Sequence, residues 1–439
     1  MKIFFIILLS IILYSCQLED QDNSEIYTNV INNLGCWQTP QKDESIGMEL
    51  NFYGDDIYLL EGNSSVIAGG IDSAELTKFN HCGENEFSRE IDLSVYDSTS
   101  SQNIISTMDE FGNIYVGNSV GATSYPTAVG VKLSKYDLTG NLIWDKTVPV
   151  GNIVGLDSNL AEIKYFNNHL YLVGKSNGSL GNNNDNLSWY QDDVLIWKYS
   201  ASNGALIWTH QIGGGSNVSY ESDYGNDISI DTSGNLYVVG ATHGILGSVT
   251  NNTNSSGKYS GFLMKLDESG NRSWVSHIST LDDNSTTVLG VEVIGNEVFV
   301  VGDSGGDIDN NTTSIQGGVF IAKYDDSGNQ LWIKFFEDES LSYKAEFEKI
   351  STNVFVFAHS GYISSKNAIS ISKLDSDGDI ITEKIINSGR EDYLYDLEID
   401  ISNNIFLTGT TTGSFDSTIN YFQTNRRFIL KLDENLNLQ

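Results

Sequence analysis

Apolar residues along this chain come in short runs broken by Gly, Asn, Asp and Ser, and no run keeps a helical period. The region 227–278 shows the pattern most clearly. Four runs there, at 227–231, 236–242, 261–267 and 272–278, have strand character. Ser-Gly-Asn joints at Ser233 and Ser269 separate two of the pairs. Gly supplies the positive φ of a tight hairpin, and Asn tolerates it. The region therefore predicts one four-stranded antiparallel unit.

The rest of the chain repeats this unit. Its third run recurs as a hydrophobic–Lys–aromatic/Leu signature at Lys78, Lys135, Lys198, Lys265, Lys323, Lys373 and Lys431. These lysines are 50 to 67 residues apart, so the stretch 33–439 holds seven units. Second runs are read at 65–70, 113–117, 169–174, 236–240, 297–302, 353–358 and 404–409. Most carry a central aromatic: Tyr115, Tyr171, Tyr237, Phe299, Phe355 and Phe406. Fourth runs carry Trp144, Trp208, Trp274 and Trp332, with Phe87 equivalent, and a packing role between units explains a Trp at fixed spacing. The sixth unit departs from the pattern, with Ala358 for Gly and Thr382 for Trp. The fold class is all-β: a seven-bladed β-propeller of four-stranded antiparallel blades.

The last unit supplies runs near 393–400, 404–410 and 427–433, and residue 439 falls one short of its Trp position. Leu34-Gly35-Cys36-Trp37-Gln38-Thr39, ahead of the first complete unit, reads as an orphan fourth strand. The expectation is that this N-terminal strand completes the last blade by pairing with 427–433, covering an edge that would otherwise invite aggregation. Cys36 would then sit near Cys82. A disulfide between them requires Cα atoms within about 7 Å, which spacing alone does not fix.

Charge and address narrow the function. The formal charge of −34 and pI of about 4.2 argue against nucleic acid and against docking on anionic lipid. Lys2 precedes an apolar run at 3–13, too short to span a bilayer and suited to a signal peptide. The run ends at Leu13-Tyr14-Ser15-Cys16, which resembles the bacterial lipoprotein signal. That resemblance implies a signal peptide at 1–15 and a lipid on Cys16. Gln17-Leu18-Glu19-Asp20 is similar to the acidic export tag of surface lipoproteins in Bacteroidetes-type bacteria. The organisation expected is a tether over 16–32 and a propeller over 33–439, held on the outer membrane at the cell surface, or else on its periplasmic face.

Catalytic motifs are absent: no H-E-x-x-H, no nucleophile elbow in which G-x-S-x-G leads from a strand into a helix, and no phosphate-binding Gly loop occurs. His210 and His277 both lie in fourth runs just past the Trp, which favours packing. Asp375-Ser376-Asp377-Gly378-Asp379 has hard oxygens at alternate positions, so calcium is an alternative to the plain turn found in other repeats. No other cofactor or metal is expected. The joints between first and second and between third and fourth runs are short. The remaining joints are long and polar, and in a propeller they share one face, where binding residues tend to sit. Candidate ligand contacts there are Trp189, Tyr190, Tyr220, Tyr224 and Tyr259.

The composite K-Y/L-D-x-x-G-N-x-x-W, followed by D-x-x-G-N-x-Y-V-x-G, resembles the bacterial SBBP β-propeller repeat family. Matching positions include Lys135, Asp137, Gly140, Asn141 and Trp144, and again Lys265, Asp267, Gly270, Asn271 and Trp274. The resemblance implies an exported propeller and prescribes no catalytic residue. Ser202-Asn203-Gly204-Ala205-Leu206-Ile207-Trp208 has a lesser likeness to quinoprotein propeller repeats, confined to the docking of Trp between blades. The function expected is a monomeric, non-enzymatic module that binds a glycan or protein or scaffolds a cell-envelope assembly. It would touch the membrane only through its lipid. The competing expectation is a lyase or glycosidase using carboxylates in the central channel.

Overall fold

The computed structural model describes residues 45–439 apart from 65–70, 94–102, 121–129, 150–157, 177–191, 214–221, 245, 247–257, 281–283, 309–316, 338–340, 352, 364–365 and 416–425. The expected signal peptide at 1–15, the expected tether at 16–32 and the 33–40 segment thus lie outside the described residues. All regular structure among those described is β. Seven antiparallel sheets follow in chain order: blade one at 45–91, two at 103–149, three at 158–212, four at 223–278, five at 286–337, six at 341–386 and seven at 392–432. Six have four strands in sequential order and the seventh has three. The first strands of successive blades touch all the way round, blade seven meeting blade one, so the ring is closed. The protein is a seven-bladed β-propeller.

Two sequence expectations need correction. Blade one's second strand is Asp56–Ser64, ahead of the 65–70 run that had been expected. Gly54, at φ +64, makes the hairpin from the first strand, and Tyr58 takes the central aromatic place. The 65–70 run resembles a second strand only because it too is apolar and ends in Gly. In blade six the second and third strands, Val354–Ile363 and Lys366–Asp375, are ten residues each and joined by two, so that joint is short.

The repeat signature has a physical cause. In blades two to five the second-strand aromatic pairs directly with the third-strand Lys, which pairs in turn with the outer-strand Trp, and in blade one Phe87 takes the Trp place. Examples are Tyr115–Lys135–Trp144 and Tyr237–Lys265–Trp274. The ammonium lies over the aromatic face, 4.9 Å from the Tyr115 centroid and 5.0 Å from that of Tyr237. Lys265 also donates to the Asp326 carbonyl in the next blade's turn at 3.2 Å, and Trp274 Nε1 reaches the same carbonyl at 3.1 Å. The Trp ring covers that turn's Gly, where a Cβ at Gly328 would come within 2.8 Å of Trp274.

Blade six breaks this row at both ends. Its Lys373 faces Val356 and Thr382, while Phe355 pairs with Leu374 instead and packs against Phe299, 4.6 Å away. The blade-seven turn that should receive the missing Trp carries Leu436 in place of Gly, at φ +63. Its side chain is buried in the blade six–seven core, so the two departures compensate.

The turns themselves are closed by Asp. Asp109 Oδ1 accepts from the backbone N–H of Phe111 and Asn113, and Oδ2 from the Asn113 amide and the Tyr115 hydroxyl. Between each pair of blades lies one apolar cluster, seven in all. The cluster at the seam joins Leu50, Ile57, Leu59 and Phe79 of blade one to Phe406 and Ile429 of blade seven. A fully buried ion pair, Arg427 with Glu61, crosses the same seam.

Candidate functional site

The central cavity is the first place to look for chemistry. It is lined by the first strands of all seven blades and has a volume of about 100 Å³. Asn51, Thr107, Lys164, Ser229, Glu292, Glu348 and Glu398 share one register position, each opposite the second-strand aromatic or its blade-six counterpart Val356. All but Ser229 line the cavity. The adjoining layer adds Glu49, Glu162, Asp227, Glu346 and Asp396. Eight carboxylates thus face one lysine, whose ammonium lies 3.7 Å from Glu162.

Bulges in the first strands aim part of this set. In blades three, four and seven, Ala161, Asn226 and Tyr395 are the extra residues, and Glu162, Asp227 and Asp396 follow them. Asp227 Oδ2 accepts from the Val291 N–H of blade five, and Asp396 Oδ2 from the Leu50 N–H of blade one, both at 2.7 Å. These two carboxylates tie neighbouring blades together.

Crowding of like charge in a small volume shifts the titrations. Burial, opposed by Lys164 and reinforced by Glu162, pushes Asp227 up to about 7. Burial and then Asp396 push Glu398 up to about 8. Glu348 is raised well above the usual range by burial and by Glu398, and Glu292 is raised by burial against the pull of Lys164. Lys164 is held protonated, chiefly by Glu162. Although 42% of its side chain is open to channel water, carboxylates from several blades enclose it.

Sequence reasoning missed this set because its members lie on separate blades. Only strand register brings them together. The available signal was an Asp or Glu in most first strands.

The second place is the long-loop face. Trp189, Tyr190 and Tyr220 lie outside the described residues. Tyr224 and Tyr259 are brought together, their hydroxyls 2.8 Å apart and their rings 5.4 Å apart. His243 stacks on Tyr259 with centroids 3.6 Å apart, and its Nδ1 accepts from the Ser222 N–H. Lys175 of blade three lies 4.4 Å over the Tyr224 ring and bonds Asp192 at 3.1 Å. Burial keeps His243 neutral and raises the Tyr259 phenol, which Tyr224 raises further. The result is a half-buried patch of two phenols, an imidazole, one cation and one carboxylate across the blade three–four junction.

The remaining candidates are turn and strand residues. Asp375 Oδ1 accepts from the N–H groups of Asp377 and Asp379, as its equivalents do in other turns, and Asp379 bonds Lys334 at 2.6 Å. Among the described residues no group of three or more His, Cys, Asp or Glu has metal-holding geometry. His210 packs on Trp208, 4.8 Å between centroids, and His277 Nε2 lies 3.4 Å from the Leu246 carbonyl.

Fold and turns together define a seven-bladed propeller of repeated four-stranded units. Residues 207–247 match the SBBP beta-propeller repeat family, a stretch running from the outer strand of blade three into the second strand of blade four and just beyond. No curated protein sequence matches the chain. Among solved structures, it is similar to an ulvan lyase, a polysaccharide lyase bound to a sugar unit, at 8% identity and TM-score 0.51, covering 83% of this chain and 92% of that one. It is also similar to the polysaccharide lyase Uly1, at 12% identity and TM-score 0.49, covering 97% and 94%. A third is the quinohemoprotein alcohol dehydrogenase of Comamonas testosteroni, at 10% identity and TM-score 0.46, covering 88% and 74%. At such identities the likeness is one of fold alone.

Proposed function

We propose that this protein is a surface-anchored lipoprotein whose propeller binds a glycan or protein ligand on its long-loop face, or holds such a partner in a cell-envelope assembly. The observation that carries this reading is the Tyr224–Tyr259–His243 patch with Lys175 and Asp192 beside it. Aromatic faces next to a paired cation and carboxylate suit sugar rings and peptide side chains. The channel, by contrast, has about 100 Å³, below the roughly 300 Å³ at which ligand pockets begin. The full-length protein should bind members of a glycan panel or a cell-envelope extract. Tyr224→Ala with Tyr259→Ala should weaken that binding at least tenfold. A ligand footprint on the turn face, or undiminished affinity in the double variant, refutes the reading.

A second reading, a lyase or glycosidase, is favoured by one observation: carboxylates from six blades line the channel, where burial and crowding push Asp227 up to about 7 and Glu398 up to about 8, as a general acid or base requires. It predicts product release from an acidic polysaccharide that Glu398→Gln abolishes. An unaltered rate in that variant removes the channel from the chemistry.

A further inference from the structure

Lys175 departs from the repeat. It lies near the end of blade three's second strand, paired with Val194 of the third. At the same register the other blades carry Gly62, Ser119, Ala241, Asp303, Ser360 and Thr410. Blade packing therefore does not call for a cation there. The Lys175 ammonium instead lies 4.4 Å from the Tyr224 ring centroid and 3.1 Å from Asp192 Oδ2.

The seat under this ammonium is held from several sides. The Tyr224 and Tyr259 hydroxyls bond each other at 2.8 Å, and His243 stacks on Tyr259 at 3.6 Å. The Ser222 N–H donates to the imidazole Nδ1 at 3.2 Å. The Asp223 N–H donates to the Asp192 carbonyl at 2.7 Å, which fixes the backbone that carries the carboxylate. Negative charge is concentrated at the same junction. Burial pushes Asp193 up to about 6 against a bond from Gln211, and Asp223 and then Asp192 push the same way. A ring face backed by carboxylates attracts a cation. The cation now present is loosely held. The Lys175 side chain is 32% exposed, where an ion pair is worth little, and fixing so long a chain costs rotamer entropy.

We propose, resting on the long-loop reading above, that Tyr224 and Asp192 form a seat for a lysine side chain of a partner protein, and that Lys175 fills it in the free protein until an incoming ammonium displaces it. An ammonium reaches the half-buried ring face on a slender stem, as that of Lys175 does. An amino sugar bears its ammonium directly on the ring and would have to bring the whole ring into the seat. Exchanging one lysine for another leaves the charge of the seat unchanged. Lys175 thus excludes neutral and anionic groups at little cost to a cationic one.

The test follows the tyrosine ring signals of the full-length protein by NMR. The Tyr224 signal is identified by its loss in Tyr224→Phe, and the other tyrosine signals report that each variant folds. The probes are Nα-acetyl-lysine amide, the uncharged Nα-acetyl-norleucine amide and a glucosamine tetramer. The lysine amide should shift the Tyr224 signal, and Lys175→Met should tighten its binding about tenfold by vacating the seat. Lys175→Gln should reproduce that gain without an added apolar side chain, and Asp192→Asn in the Lys175→Met background should remove it. Equal affinity in wild type and Lys175→Met overturns the displacement, and norleucine amide binding as tightly as lysine amide overturns the seat for a cation. Tighter binding of the glucosamine tetramer at the same signal overturns the choice of a protein. A Tyr224 signal silent to every probe overturns the seat altogether. Loss of panel binding in Tyr224→Ala with Tyr259→Ala would still uphold the loop-face reading, so the two fail separately.

Discussion

The blade four–five junction and the blade seven–one seam do the same job with different chemistry. At the first, Tyr237, Val239 and Leu263 meet Val298, Val300 and Phe320 in an apolar layer. Trp274 and Lys265 then clamp the neighbouring turn. The seam has a smaller apolar cluster and adds the buried pair Arg427–Glu61. At the position of Glu61 other blades have Gly240, Gly302 or Gly409, where a Cβ would come within 2.2 Å of a backbone carbonyl. The recurring junction is held by apolar packing and by hydrogen bonds to the neighbouring backbone, with no buried ion pair among its described residues. The seam occurs once and must join ends 366 residues apart, and the ion pair marks that single correct closure.

This contrast can be broken most sharply at the pair itself. Glu61→Ala leaves Arg427 charged and buried, and should cost about 3–5 kcal/mol in denaturant unfolding. Glu61→Leu combined with Arg427→Met should recover most of that loss. Recovery would mean that the pair serves correct closure rather than stability. A loss in the double variant as large as in the single would contradict that assignment.

The compensated junction between blades six and seven sharpens the comparison from the other side. Leu436→Ala should cost about 2–4 kcal/mol, because its side chain fills the space of an absent Trp. Thr382→Trp alone should be destabilising, since the new ring would meet Leu436. Combining it with Leu436→Gly should restore the pattern of the other blades. A double-mutant cycle with no coupling between the two positions would sink the compensation argument.

The channel predicts how stability depends on pH. Asp227 and Glu398 have ordinary values of 3.8 and 4.5 and are raised to about 7 and 8. A raised acid keeps its proton in the folded state, so its stabilisation is complete below the unfolded value and is lost as pH climbs through the folded one. The turn carboxylates act in the opposite sense. Asp137 is lowered to about 2, mainly by bonds from Thr139 and Asn141 working against burial, so its contribution holds above 3.8 and is lost as pH falls towards 2. The melting temperature should therefore peak near pH 4–5 and decline on both sides. Lys164→Met should steepen the alkaline decline, and an unchanged pH profile in that variant would remove Lys164 from the balance.

The smallest effect concerns the turns. Asp109, almost wholly buried, accepts four hydrogen bonds, and Asp109→Ala should cost about 2 kcal/mol. Asp267 accepts three of these bonds, without the tyrosine hydroxyl, at an exposed turn, and Asp267→Ala should cost about 0.5–1 kcal/mol. Equal losses would show that burial does not set the worth of the repeat turn.

Most of what repeats at close range was legible in the residue order: the seven units, the hairpins of most blades, the Asp–Gly–Asn turns and the Trp of the outer strand. These depend on neighbours within one blade, where spacing fixes register. Blade one misled because an apolar run ending in Gly resembles a second strand, and the hairpin at Gly54 decides between the two. Phe355 misled because a shift of one residue turns an aromatic to the other face of the sheet. The carboxylate-lined channel, the Arg427–Glu61 pair and the meeting of Lys175 with Tyr224 were decided by the tertiary structure alone. Each joins residues from different blades, and only closure of the ring sets the distance between them.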